Sequence, residues 1–484
     1  MAVSDGTAPA VREAAVDRAR LPWRPLAVAL ALALACAIVL PAYSGPDEMA
    51  HVAYVAALAH GHLPVMPNGE FANIATGTTW QAQHPPLFYI LGAPLYLGAG
   101  GNTEAVLYLM RLLSIAGLLA TIVLIDRVAR MLLPPDRAGL AAWIVAVHPT
   151  VVYVSSMVNN EAWAMAFAVA CVWAALKARQ SGDTGQSAAG NRQSEAAGAD
   201  ERQASSHKPQ ATSHEMRWLL AAAAFGGLAL LTKLTAIAGV VSAAVILAQA
   251  PPAPRVTRNQ EPGTRNQRRA GLLRAGALLV GAIALWLPWG LLMQRMYGSY
   301  VPSPIQRPAF SGGLMALTID PLGAALFIGI GTAEFAIGLV TPYWLMEPIK
   351  YAHVDMIVVG WIVVLAVGWI CCRRRELRFV GAAFLTLLLL VLNHILFRDG
   401  YAIIFLARYS PIATVLAALL AASALGGLRP AQRIAALAVL GLIAAAGFAY
   451  VAWFFSAGSA NGGSRMHAIP NGSTAAPRGG DSNP

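Results

Sequence analysis

Apolar residues along this chain come in long, nearly uninterrupted runs, and the polar residues collect in the gaps between them. Each run is close to the roughly 20 residues a helix needs to cross hydrocarbon, whereas barrel strands would alternate over about 10. The pattern therefore predicts an all-α integral membrane protein. The first run, 25–40, stops at Pro41-Ala-Tyr-Ser-Gly-Pro-Asp47-Glu48. Ser44 as N-cap, Pro46 in the first turn and Gly61 as a stop predict a short helix over 47–60. His84-Pro85-Pro86 opens an apolar segment, 87–97, that is too short to cross comfortably and reads as a second juxtamembrane helix. Further spans are predicted over 105–125, 139–156 and from Glu161 to Lys177. The run 217–250 is too long for one span and is interrupted at Thr232-Lys233-Leu234-Thr235, so it divides into two short spans with Lys233 at their outer turn. One more ends near Met293, one covers 354–372, and three follow, bounded by Arg398, Arg408-Tyr409 and Arg433. The apolar piece 321–340 reads as re-entrant or interfacial. About 11 transmembrane helices result.

Composition agrees with this picture and adds an orientation. The 484 residues are 57% hydrophobic and only 12% charged, against about a quarter charged in soluble domains. A net charge of +11 would suggest nucleic acid in a soluble protein. Here about 25 of the 34 Lys and Arg residues fall on one side of the layout, as the positive-inside rule requires, so the charge is mainly a topology signal and no nucleic-acid partner is expected. Residues 1–24 become a cytoplasmic tail and 25–456 a polytopic membrane domain. Its parts are a first outer loop (43–104), a Ser/Gly/Gln/Ala-rich inner linker expected to be disordered (180–216), a basic inner loop (251–274) and a second outer region (294–353). Residues 457–484 are expected to be a disordered tail. Cys36, Cys171, Cys371 and Cys372 all lie in apolar runs, where they read as packing residues and not as a disulfide framework.

The residues that can carry chemistry gather on the outer side. Asp47 and Glu48 sit in a first helical turn, where the helix dipole favours carboxylates, and either can be a general base or only a solvated cap. His51 follows one turn later. Glu48-x-x-His51 with His60, His62 or His84 offers nitrogen and oxygen ligands for zinc, but no His-Glu-x-x-His is present. Glu161 after Asn159-Asn160 either begins a helix or faces a site. Arg111, Lys233 and Arg408 are cations on the side the positive-inside rule disfavours; Lys233 and Arg408 either snorkel to the interface or hold a phosphate, for which a guanidinium fork is well suited. Asp47, Glu48 and Glu161 can share Mg²⁺ or Mn²⁺ through oxygen; equally, Lys233 and Arg408 can make a metal unnecessary.

Taken in order, these motifs resemble a known family. They are Pro-Asp47-Glu48-x-x-His51, Gln83-His84-Pro-Pro-Leu-Phe-Tyr, Arg111-Leu-Leu-Ser, Asn-Asn-Glu161, Leu-Leu-Thr-Lys233-Leu-Thr and Ala-Arg408-Tyr409-x-Pro411. In this order, over roughly 25–425, they are similar to the GT-C integral-membrane glycosyltransferases, in particular bacterial proteins like dolichyl-phosphate-mannose mannosyltransferases and lipid A aminoarabinose transferases. The resemblance implies a GT-C-like bundle that transfers a sugar from a polyprenyl-phosphate donor to a glycolipid, polysaccharide or protein acceptor at the outer face of the membrane. It implies Asp47, beside Glu48, as first-loop acid, Glu161 as second-loop acid, and Lys233 and Arg408 as phosphate-binding cations. His51, His84, Arg111 and Tyr409 become substrate-side residues. The chain departs from many relatives with His84 in place of Lys before Pro-Pro, and from several with Glu161 in place of Asp. From another class, a transporter or flippase for a lipid-linked saccharide also suits intramembrane charge, but no pairing of repeats in matching halves is seen.

Overall fold

A computed structural model describes residues 21–45, 47–66, 72–196, 213–249, 263–302, 377–397 and 411–460. These are almost entirely helical, with only two isolated β-bridges, at Val65, Asn73 and Thr78. The helices are α1 (Trp23–Val39), α2 (Glu48–Ala59), α3 (Leu87–Gly98), α4 (Thr103–Leu132), α5 (Pro135–Val147), α6 (Pro149–Ser156), α7 (Glu161–Ala196), α8 (Ser213–Thr232), α9 (Ile237–Ala248), α10 (Gly263–Tyr297), α11 (Arg378–Phe397), α12 (Pro411–Gly426) and α13 (Pro430–Ala460).

Four stretches among the described residues are long and apolar enough to cross a membrane: α4, the Glu161–Gly182 part of α7, α8, and Asn266–Tyr297 of α10. The bent pair α5 and α6 makes a fifth if counted as one span. The expected eleven are therefore not reached among the described residues, and the segments 321–340 and 354–372 lie outside them. α1, at 17 residues, is at the short end of what can cross.

Helix α7 lies at the centre, against α4, α8 and α9; α10 packs on α8 and α9, and α1, α5 and α6 surround α4. The core they share is rich in alanine, among them Ala141, Ala164, Ala168, Ala175, Ala229 and Ala243. In lipid, helices gain nothing hydrophobic by meeting, so small residues that let backbones approach drive the packing. Gly117 of α4 shows how close the approach is: a Cβ there would stand 2.9 Å from the carbonyl carbon of Ala162 in α7.

Several expectations need correction. The span expected over 139–156 is broken at His148-Pro149 by 52°, because Pro149 has no N–H to donate into the preceding turn and forces His148 into an extended conformation (φ −71°, ψ 116°). α4 does not stop at 125 but continues through Asp126 and Arg130 to Leu132. The linker expected to be disordered is helical as far as Ala196: Ala, Gln, Arg and Glu favour helix, and extending an existing helix avoids the cost of nucleation. The basic loop likewise gives way to helix at Gly263, and α13 reaches Ala460. The break before Lys233 appears where it was expected, with a short 3₁₀ turn, Leu234–Ala236, between α8 and α9.

The first loop is anchored over one end of the bundle. Val52, Tyr54 and Val55 of α2 and Phe88, Tyr89 and Tyr96 of α3 form a second apolar cluster with Met110 of α4 and with Trp289 and Met293 of α10. The Tyr297 hydroxyl, at the end of α10, accepts a hydrogen bond from the amide of Met66 (3.4 Å). That cluster fixes the floor on which the candidate residues stand.

Candidate active site

The chain leaves α1 through a tight turn and enters α2 with two non-glycine residues in the left-handed region, Tyr43 (φ 59°) and Asp47 (φ 63°). Left-handed backbone at ordinary residues stores strain and is held only where the surroundings enforce it. Here the enforcing group is Glu48, the neighbour of Asp47. Arg111 donates from Nε to Glu48 Oε1 (2.8 Å) and from Nη2 to Oε2 (2.7 Å). Its remaining N–H groups go to carbonyls at the exit of α1, those of Ala37 (2.7 Å), Leu40 (2.8 Å) and Pro41 (2.9 Å). All five donors of the guanidinium are thereby used. Glu48 accepts two more bonds, from the amides of Val158 (2.9 Å) and Gly45 (3.1 Å). Both side chains are about 1% exposed. Gly45 is required by this contact, since a Cβ would lie 2.8 Å from Glu48 Cδ.

The clamp therefore joins α1, α2, α4 and the turn before α7 at one point. It also changes what Glu48 and Arg111 can do. The Glu48 carboxylate already accepts four hydrogen bonds and Arg111 has no N–H left over, so the geometry suits them to holding the loop and not to taking a proton or gripping a phosphate.

Asp47 differs. It is half-buried, caps α2 without a side-chain capping bond, and its Oδ1 accepts a hydrogen bond from Trp80 Nε1 (3.1 Å). Ser44, expected as the cap, instead donates to the Pro41 carbonyl (2.8 Å), because the left-handed Asp47 resets the helix start. Trp80 lies in a 3₁₀ turn, Trp80–Gln83, held to α2 by the Thr79 hydroxyl donating to the Ala50 carbonyl (2.9 Å). Sequence reading missed Trp80, Thr79 and Gly45: none lies on a helical period, and their roles arise from contacts across the loop.

His51 is buried, its Nδ1 sharing a 2.9 Å hydrogen bond with the Tyr89 hydroxyl. Tyr89 stacks on Tyr54, whose hydroxyl donates to the His84 carbonyl (3.0 Å). Burial holds both phenols well above their usual range, with Tyr54 and the nearby Asp47 charge adding to this for Tyr89. His84 is half-buried at the end of the 3₁₀ turn. These groups brace the loop beneath Asp47.

Glu161 opens α7, its amide bonded to Asn159 Oδ1 (2.9 Å), and pairs with Lys233 Nζ from the break between α8 and α9. Glu161 is about 1% and Lys233 about 7% exposed. Apart from Lys233, neither oxygen of Glu161 meets a donor among the described residues, and the buried Oδ1 of Asn160 also has none. The structure thus brings Glu161 and Lys233 together, three residues past the Val158 amide that binds Glu48. Arg408 and Tyr409 lie outside the described residues.

A shared metal does not fit the three acids as a set. Glu48 is committed to Arg111, and among the described residues no three His, Cys, Asp or Glu side chains come together. The zinc grouping fails for the same reason: His51 is engaged with Tyr89, and His60 Nδ1 lies 2.7 Å from the Ala56 carbonyl.

No curated protein matches the chain in sequence. Among solved structures it is similar to the oligosaccharyltransferase of Archaeoglobus fulgidus in complex with zinc and sulfate (TM-score 0.46, 14% identity, 89% of this chain and 53% of that one). It is also similar to ArnT of Cupriavidus metallidurans bound to undecaprenyl phosphate (0.48, 16%, 86% and 62%). A third is the protein O-mannosyltransferase complex of S. cerevisiae bound to its sugar donor (0.36, 16%, 60% and 36%). The chain spans between 36% and 62% of the length of these proteins. Residues 64–250, a stretch holding His84, Arg111, Glu161 and Lys233, match the family model described as the alpha-(1->6)-mannopyranosyltransferase N-terminal domain, and in that stretch and in its ordered motifs the chain resembles the GT-C integral-membrane glycosyltransferases.

Proposed function

We propose that the chain transfers a sugar from a polyprenyl-phosphate donor to an acceptor hydroxyl of the cell envelope, at the outer face of a bacterial inner membrane. The mannopyranosyltransferase match over 64–250 supports sugar transfer and makes mannose the sugar to test first. The observation that carries the reading is the contrast within one dipeptide: Glu48 is locked in a buried clamp, while Asp47 beside it is half-exposed and bonded through Oδ1 to Trp80. Asp47 takes the proton of the acceptor hydroxyl as that oxygen attacks the anomeric carbon. The bond from that carbon to the phosphate oxygen breaks, and the single displacement inverts the configuration. The phosphate leaves already charged, so electrostatic support matters more than an acid catalyst. Lys233 and Arg408 supply it, and the incoming phosphate shares or takes over Lys233 from Glu161.

General-base help of this kind is worth about 10²- to 10⁴-fold. Asp47→Asn is therefore expected to lose that much turnover with purified polyprenyl-phosphate mannose, at unchanged thermal stability. Full activity in this variant would overturn the assignment.

A further inference from the structure

At the end of the bundle opposite Asp47, a crevice of about 460 Å³ opens between the start of α1 and helices α4 and α5, lined mainly by apolar groups. Trp23, Trp143 and Gly139 form part of its wall, with Arg24, Arg130 and Asp126 as its charged groups. Asp126 lies 15 residues beyond Arg111 on α4, about 22 Å along the helix axis, so this place is separate from the candidate active site. Asp126 is fully buried; its Oδ2 accepts from Arg130 Nε (2.7 Å), while its Oδ1 meets no donor among the described residues. A buried carboxylate oxygen without a donor is costly. Arg24, exposed and stacked over Trp23 at 5.2 Å, adds a second positive charge at the mouth.

We propose that this crevice is a binding site for the headgroup of an aminophospholipid such as phosphatidylethanolamine. The lipid's primary ammonium donates to Asp126 Oδ1, a small side-chain rotation opening the way, and its phosphate lies between Arg24 and Arg130. The two tryptophans hold the glycerol region at the level where indole rings favour the membrane interface. The charge pattern selects among headgroups. Phosphatidylcholine presents the same phosphate but no N–H to donate, and phosphatidylglycerol presents no cation to Asp126.

The test uses the full chain purified in detergent, incubated with an equimolar mixture of phosphatidylethanolamine, phosphatidylcholine and phosphatidylglycerol of identical acyl chains. Retained lipid is counted by mass spectrometry. A charge-assisted hydrogen bond predicts about tenfold enrichment of phosphatidylethanolamine over phosphatidylcholine. Asp126→Asn is expected to abolish that preference. Because Asp126→Asn disturbs a buried ion pair, a second variant leaves the pair intact. Gly139 lines the crevice and a Cβ there meets nothing within 4 Å, so Gly139→Leu, which places a bulky apolar group at the wall, is expected to lose retention at unchanged melting temperature. Soluble glycerophosphoethanolamine is included as competitor, and displacement only at millimolar excess indicates that the acyl chains contribute as the apolar wall requires. Equal retention of the ethanolamine and choline lipids by the wild type, or undiminished preference in Gly139→Leu, would overturn the proposal.

Discussion

Two buried ion pairs stand near the same end of this bundle, and they are built in opposite ways. Glu48–Arg111 is closed: five guanidinium donors and four carboxylate contacts all have partners. Glu161–Lys233 is open on its acidic side, since its carboxylate has no donor beyond the lysine and the neighbouring Asn160 Oδ1 has none either, among the described residues. Desolvating two charges is offset only when geometry and extra hydrogen bonds satisfy both. The first pair meets that condition and holds four chain segments together. The second does not: among the described residues the Glu161 oxygens meet no donor besides Lys233. Sequence reading treated all four residues as site candidates, and the contrast separates a fully satisfied clamp from a pair with unsatisfied oxygens.

The largest effect expected from this contrast is at the clamp. Arg111→Ala leaves Glu48 buried without its counter-charge and frees three carbonyls at the exit of α1, a loss of about 3–5 kcal/mol. Arg111→Lys should rescue little, because an ammonium cannot reproduce the fork. Thermal unfolding in detergent and the yield of folded protein measure this; a Lys variant as stable as wild type would mean the fork is dispensable.

A smaller and more discriminating effect is expected at the open pair. Lys233→Met strands the Glu161 carboxylate and should cost about 1–3 kcal/mol, while Lys233→Met combined with Glu161→Gln should recover most of that stability. Activity should remain lost in the double variant. A double variant that is both stable and active would make the pair merely structural and erase the distinction.

The smallest expected change is Trp80→Phe, which removes the N–H held on Asp47 and keeps most of the ring. Losing one oriented hydrogen bond of about 1 kcal/mol should lower kcat about fivefold with KM nearly unchanged. A change confined to KM would show that Trp80 meets substrate instead of positioning Asp47.

Much of the fold could be read from single residues. Gly61 (φ 80°) does end α2, at the place expected; His84-Pro85-Pro86 does precede a short helix, and Asn159-Asn160 does precede the start of α7 at Glu161. Lys233 does sit at a break. These are local signals, carried by backbone preferences that act over one turn. Pro149 was equally local, and the bend it causes was within reach of the sequence. Ser44 was not, since its loss of the capping role follows from the left-handed Asp47, which depends on the long-range clamp.

What the sequence by itself determined is the class of molecule: long apolar runs need a bilayer, backbone groups in lipid need helices, and the order of short motifs carries the family resemblance. What only the tertiary structure decided is which charges are partners. Glu48 meets Arg111 across 63 residues and Glu161 meets Lys233 across 72. No local preference encodes either meeting. From α4, one guanidinium reaches the exit of α1 and the start of α2 together, and that reach separates Glu48 from Asp47.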